Sequence, residues 1–425
     1  VDRTAGAGVL GRVVDVRRGE VRALLTGFAY FFTLLFGYYL LRPVREEMGI
    51  RADVAKLHWL FWATAGAMLV AVPIYSAVLA RVPRRRAVPW VYRFFLLHLL
   101  VFWALVRSGV APAWVARSFY VWLSVYNLFV VSVFWSLLAD LFTSAQAKRL
   151  FGFVAAGGTA GALLGSALVA TLAGRLGVAN LLLVSAVLLE ASARCAAALA
   201  RRGAGAPAAA AAAPEDAALG GSAFAGFAAV ARSPYLLAIA AQMFLYSLGS
   251  TFLYFNLLRT VAASLGDSAA RTALFAKVDL AVSVLALATQ SLATGRIVAA
   301  LGLGGALALV PALSVAGFAA AAAVPGLGTL AGFQVLRRAA HFAVERPSRE
   351  VLFTVVPTGD KYKAKSFVDT FVYRGSDALS ASLHAKLAAA GLALPALSAA
   401  AIPFAALAAA LAVWLARRAR RMERS

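Results

Sequence analysis

Apolar stretches about 20 residues long recur from one end of this 425-residue chain to the other. Each is long enough to cross the hydrocarbon core of a bilayer as a helix. Hydrophobic residues make up 62% of the chain and charged residues only 14%, where a soluble domain carries about 25%. A polytopic α-helical membrane protein is expected. A membrane β-barrel would show short strands of alternating polarity instead, and none is visible.

The stretches predict helices at 22–41, 57–80, 88–107, 114–139, 150–173, 178–200, 235–258, 273–294, 302–323, 327–345, 366–389 and 394–416. The one composition break is "GAGAPAAAAAAPEDAALGG" at 203–221. Alanine, proline and glycine at that density read as a linker. It divides the chain into an N-terminal half, 1–202, and a C-terminal half, 222–425. Residues 222–233 predict a short amphipathic helix ahead of the seventh span. The expected fold is an all-α membrane protein of twelve transmembrane helices in two six-helix halves, the major-facilitator architecture, whose solute site lies at the midplane between halves. The loops "SAVLARVPRRR" (76–86) and "SLATGRIVAALG" (291–302) point the same way. They resemble degenerate copies of the cytoplasmic loop motif of major-facilitator transporters, with Ala80 where the motif has Asp and Pro83 where it has Gly. They recur at the same place in each half.

The net charge is +23. A basic nucleic-acid-binding protein needs a solvated basic face, whereas these lysines and arginines sit in short loops between apolar runs. No nucleic-acid partner is expected. Loop charge sets orientation. Arg17, Arg18, Arg84, Arg85, Arg86, Lys148, Arg149, Arg201, Arg202, Lys361, Lys365, Arg417 and Arg421 fall on the side of the N-terminus, and they outnumber the cations opposite. Both termini are therefore expected in the cytoplasm, and Arg42, Arg45, Arg51 and Lys56 on the far side. The polar, basic N-terminus predicts no separate cleavable apolar segment.

No P-loop, His-Glu-x-x-His or nucleophile elbow is present, so no enzyme is expected. One cysteine, Cys195, allows no internal disulfide. The four histidines, His58, His98, His341 and His384, lack ligand spacing, so neither metal nor cofactor is expected.

Charged and amide groups inside the spans carry the functional signal. A charge at the bilayer centre costs about 2.5–3.5 kcal/mol on insertion scales, so it faces a partner or a wet cavity. Asn127, Gln242, Asn256, Gln290, Gln334, Arg337, Arg338, His341, Asp369, Arg374 and Asp377 lie in spans; Arg259, Lys277 and Asp279 flank them. They read either as a basic cavity for an anion or as local pairing and snorkelling near helix ends. Arg337 and Arg338 point about 100° apart, so only one of them faces any given surface. In "YYLLRPVREEMGI" (38–50), a helical continuation puts Arg42, Arg45 and Glu46 on one face, and Pro43 is expected to kink it by removing a backbone donor. Gly157, Gly161 and Gly165 repeat every four residues and make a smooth face for close helix packing. Trp135 is expected to pack rather than stack on a ligand.

Two segments carry a family resemblance. In "FWSLLADLFTSAQAKRLFGFVAAGGTAG" (134–161), Phe134, Trp135, Asp140, Ala147, Lys148, Arg149 and Phe151 resemble the helix 4–5 region of the nucleotide transporter family, the ATP/ADP translocases of plastids and intracellular bacteria. In "RPSREVLFTVVPTGDKYKAKSFVDTFVYRGSD" (346–377), Arg349, Glu350, Lys361, Lys363, Lys365, Asp369 and Arg374 resemble a second pattern of that family. The resemblance implies exchange of anionic nucleotides by alternating access, with basic residues meeting phosphates. The chain also departs from the family. Arg45 and Glu46 stand for Lys and Asp, Ser124–Asn127 carry no acidic group, Asn256 and Arg259 stand near an expected Glu and Lys, and Asp377 replaces a Lys. The chain reads as a divergent bacterial relative with a solute other than ATP or ADP within reach.

The expected protein is a monomeric secondary transporter of the bacterial inner membrane, in contact with lipid, that moves a small anionic solute. Arg42, Arg45, Glu46, Asn127, Asn256, Arg259, Lys277, Arg338, Arg374 and Asp377 are the expected solute-binding set. Asp140, Lys148, Arg149, Lys361, Lys365 and Asp369 are expected at a cytoplasmic gate. Two other readings stay open. One is a proton-coupled exporter of a cationic or amphipathic compound, titrating Asp369 or Asp377. The other is a non-transporting sensor or assembly protein.

Overall fold

The computed structural model describes residues 16–81, 84–203 and 223–423. Of the expected linker, all but Gly203 lies outside the described residues, as does Pro83. The helices are α1 (Val21–Arg51), α2 (Leu57–Arg81), α3 (Arg84–Ser108), α4 (Pro112–Leu141), α5 (Ser144–Leu176), α6 (Val178–Gly203), α7 (Ala223–Arg232), α8 (Pro234–Ser264), α9 (Ser268–Leu292), α10 (Thr294–Ala323), α11 (Leu327–Ala340), α12 (Arg346–Val351), α13 (Thr358–Phe367), α14 (Tyr373–Ala389) and α15 (Leu394–Met422). Two π-helical turns, His341–Glu345 and Val368–Val372, join α11 to α12 and α13 to α14. No strand occurs among the described residues.

Ten segments among the described residues are long and apolar enough to cross a membrane, against twelve expected. The two left over are 327–345 and 366–389. The first holds Arg337 and Arg338 and breaks into a π-turn after the 14-residue α11. The second carries Asp369, Arg374, Asp377 and Lys386 and also contains a π-turn. Charge and irregular backbone thus set these two apart. The short helix expected at 222–233 is present as α7. α1 runs to Arg51, ten residues past its expected end, and stays helical through the buried Pro43. A proline forfeits one backbone hydrogen bond, which a membrane helix tolerates when its neighbours hold it.

The described chain forms two compact units. Unit 1 takes its residues from Val1–Ala52, Gly66–Pro214 and Asp267–Leu280; unit 2 from Asp53–Ala65, Glu215–Gly266 and Ala281–Ser425. The start of α9 thus belongs to unit 1 and the start of α2 to unit 2.

In unit 1, α1 lies against α5 with backbone facing backbone. A Cβ on Gly157 would come 2.6 Å from the Phe28 carbonyl oxygen, and one on Gly165 2.8 Å from that of Phe36; Gly161 is still closer to that of Phe32. Glycines 157, 161 and 165 thus meet carbonyls 28, 32 and 36 in parallel register, the close approach that the four-residue spacing predicts. Beside this seam Phe31 stacks on Phe134 at 4.2 Å, and Trp135 packs edge-on against Phe31 at 5.4 Å. The Tyr30 and Tyr92 hydroxyls bond each other, and Tyr92 donates to the Val130 carbonyl at 3.1 Å.

In unit 2, α8 is buried along most of its length. Its Tyr235 hydroxyl donates to the Leu352 carbonyl at 2.9 Å, within an apolar cluster that includes Ile239, Phe353 and Leu415. α7 docks on α13, where Gly226 leaves room for the Lys363 carbonyl and the Phe367 side chain.

Candidate functional site

The charged end of α1 is built into a ladder. Arg42 Nη1 lies 3.2 Å from Asp279 Oδ1. One and a half turns on, Glu47 receives Arg271 through Nε at 2.5 Å and Nη2 at 2.9 Å. Arg51 donates to Glu47 at 2.9 Å and to the Ser268 hydroxyl at 2.7 Å. Residues 42, 47 and 51 thus meet 279, 271 and 268 in antiparallel register, all within unit 1. The Glu47 side chain is fully enclosed. An enclosed carboxylate is tolerable only when paired and hydrogen-bonded, and the two-pronged Arg271 clamp meets that need.

Arg45 is held on the same helix. Its guanidinium lies 3.9 Å from the centre of the Tyr120 ring, donates to the Tyr120 carbonyl at 3.4 Å and pairs with Glu46 at 3.1 Å. Arg42, Arg45 and Glu46 are therefore brought into one cluster. Lys277 is exposed on α9, and Asn127 is half-buried on α4 with no hydrogen-bond partner among the described residues. Neither joins the ladder.

In unit 2, Asp377 accepts from the hydroxyls of Ser247 at 2.5 Å and Thr251 at 3.5 Å, and Arg374 lies 4.0 Å away. Ser247 and Thr251 are one turn apart on α8, so one helix face supplies both donors. Asn256 is fully buried and occupied: its amide donates to Ser398 at 3.1 Å, and its carbonyl meets His384 Nε2 at 2.9 Å. Arg259 is half-buried near that histidine, on which its charge acts. Of the arginine pair on α11, Arg337 is the enclosed member and Arg338 the half-buried one.

The expected gate residues form separate clusters. In unit 1, Arg149 donates to both oxygens of Glu20, at 2.9 and 3.2 Å, and Gln146 to one at 3.0 Å. Burial acts to raise the pKa of Glu20. The Arg17 backbone N–H, Arg149 and Gln146 outweigh it and hold the carboxyl below its usual range. Asp140 is exposed at the end of α4, and the Lys148 side chain lies outside the described residues. In unit 2, Lys365 pairs with Glu350, and Arg349 lies 3.7 Å from Asp369. Lys361 is half-buried.

Arg271 and Glu345 carry structural weight without having stood out in the sequence. Arg271 has no local signal, since its partner is 224 residues away. Glu345 does have one, a four-residue spacing from His341.

No family model matches this chain, and no curated protein does. Solved structures do. A bacterial homologue of the iron transporter ferroportin, in an inward-facing state, superposes with a TM-score of 0.64 at 14% identity over 94% of this chain and all (100%) of that one. The nucleoside transporter NupG superposes with a TM-score of 0.56 at 14% identity, covering 95% of this chain and 99% of the other. The human organic anion transporter MFSD10 does so at 0.57 and 16% identity, covering 93% and 100%. At such identities the likeness is one of fold. The chain shares the fold of these three transporters.

Proposed function

We propose that this protein is a secondary active transporter of the bacterial inner membrane, with both termini in the cytoplasm, that moves an anionic solute by alternating access. The solute is a nucleotide or another phosphorylated or organic anion, and uptake or exchange is the mode. One observation carries the reading. The end of α1 and its partners gather four guanidinium groups (Arg42, Arg45, Arg51 and Arg271) among the carboxylates Glu46, Glu47, Asp279 and Asp267. Charged groups gathered inside an apolar chain mark a solute path, and arginine binds phosphate or carboxylate through two parallel N–H bonds. Arg42 and Arg45 would meet the solute in unit 1. Two fold neighbours, described as an organic anion transporter and a nucleoside transporter, are compatible with the reading.

The experiment is uptake and exchange by purified protein in liposomes, with thermal stabilisation as a binding readout. The panel is nucleotides, sugar phosphates and dicarboxylates. Stabilisation by at least one anion, lost in Arg45→Ala, supports the reading. No flux and no stabilisation with any of them refutes it.

Asp377 favours a second reading, since a carboxylate held by two hydroxyls would repel an anion. Proton-coupled export of a cation, abolished by Asp377→Asn, would establish that reading.

A further inference from the structure

Arg337, His341, Glu345 and Arg349 follow one another at four-residue spacing through α11, the first π-turn and α12. Spacing of four puts them on one strip of a helix. All four are buried, at 1%, 8%, 2% and 6% exposure. Apolar residues of similar volume would fill this strip at lower cost. Four ionisable groups in a row inside a membrane protein therefore call for a function.

The contacts along the strip are continuous. Arg337 donates through Nε to Ser314 of α10 at 2.9 Å and through Nη2 to the Tyr246 carbonyl of α8 at 2.8 Å. Its guanidinium lies 4.7 Å from the centre of the Tyr246 ring, and the His341 ring stacks on the same tyrosine at 4.3 Å. His341 Nδ1 bonds Glu345 Oε2 directly. Arg349 donates to the Met243 sulfur at 2.8 Å and faces Asp369 on the second π-turn at 3.7 Å. The charged or titratable groups around His341 are thus Arg337, Glu345 and Arg349 on its own helix and Tyr246 on α8. Asp369 closes the far end of the strip. Tyr373 on α14 is coupled electrostatically to Arg337, Tyr246 and Asp377.

Charge balance singles out the histidine. With a neutral ring, two guanidinium groups face two carboxylates, Glu345 and Asp369. Arg337 has no carboxylate within ion-pair distance among the described residues, and its Nη1 is buried without a hydrogen-bond acceptor. One added proton makes the strip net positive. With Nδ1–H donating to Glu345, the proton arrives at Nε2: one N–H bond forms, one O–H bond of hydronium breaks, and water leaves. The ring sits on a π-turn, a backbone form that recurs where helices do functional work.

We propose that this strip is a proton-binding site, with the His341–Glu345 pair as acceptor, and that proton uptake there favours anion binding, so that a proton accompanies the solute. The coupling half rests on the anionic-solute reading; the proton site does not.

Two measurements on the full-length protein separate these halves. In the first, the imidazole ¹⁵N resonances of histidine-labelled protein are followed against pH, with His341→Gln assigning the signal. Over about pH 4 to 8 the His341 signal is expected to titrate below the ordinary histidine midpoint, since burial opposes the imidazolium and Glu345 offsets it only in part, and Glu345→Gln is expected to lower that midpoint by about one unit or more, since the imidazolium loses its counter-ion. In the second, ATP or inorganic phosphate is added to liposomes containing the protein and a trapped pH dye. Interior acidification is expected, reduced about tenfold or more in His341→Gln and Glu345→Gln. Thermal melting verifies folding, and either variant suffices if the other fails to fold. A His341 signal silent across that pH range overturns the proton site whatever the anion results. Titration with anion uptake but no acidification overturns the coupling. Titration with no response to any anion leaves the proton site standing and refutes the solute reading.

Discussion

Replacing Gly157 by alanine tests the α1–α5 seam on which the charged end of α1 is mounted. The new Cβ would lie 2.6 Å from the Phe28 carbonyl oxygen and 3.0 Å from the Phe28 ring. A carbon and a carbonyl oxygen in contact sit at about 3.3–3.6 Å. The helices must therefore part by roughly 0.7 Å or more at this point. The obstacle is main chain, so no side-chain rotation relieves it. Forcing extra volume into a packed interior costs about 1–3 kcal/mol. Alanine also stabilises a helix by up to about 1 kcal/mol relative to glycine, which sets a net loss of about 0–2 kcal/mol, near the upper end if the seam is rigid. The assay is apparent melting temperature in detergent, with Gly152→Ala as control: that glycine lies on the same helix with nothing within 4 Å of its added Cβ. Both variants gain the helix propensity, so their difference isolates the contact. Gly157→Ala should melt several degrees below Gly152→Ala. Equal melting of the two would refute backbone-on-backbone packing here.

Two further predictions follow from the ion pairs. Arg271→Ala leaves the enclosed Glu47 carboxylate with Arg51 alone, so the loss should approach, without exceeding, the ~3–5 kcal/mol of a broken buried pair; Glu47→Gln combined with Arg271→Gln should recover part of it, and a double-mutant cycle by thermal unfolding that shows no coupling would exclude the clamp. The Glu20 carboxyl is held below its unfolded value, so its contribution is fully present above the ordinary glutamate pKa of about 4.3 and fades as pH falls through the lower folded value; Glu20→Gln should flatten the acid limb of stability against pH, and an unchanged limb would show that Arg149 and Gln146 add nothing.

The membrane-spanning character of the chain was legible because length and apolarity are local properties. So was the glycine face: residues 157, 161 and 165 must share one side of any helix they occupy, and the carbonyls of α1 fill it. The helical continuation past Leu41 was legible from the spacing of Arg42, Arg45 and Glu46. Two of the expected twelve spans, 327–345 and 366–389, are not among the ten long apolar helices of the described residues, and they show what hydropathy leaves out. It registers apolar length and does not foresee that charged strips would be accommodated by π-turns.

What the sequence by itself determined is the set of helices, their amphipathic faces and the surplus of arginine. Partners were decided only by the tertiary structure. Glu47 finds Arg271, Arg42 finds Asp279, and Asn256 is drawn into a bond with His384 instead of a solvated wall. Of two adjacent arginines, Arg337 is enclosed because Ser314 and the Tyr246 carbonyl wait on that side of α11, while Arg338 is turned away by one residue's rotation. The physical reason is range. Helix periodicity fixes which residues share a face within a few turns, but a buried charge is settled by whichever complementary group another helix brings to it.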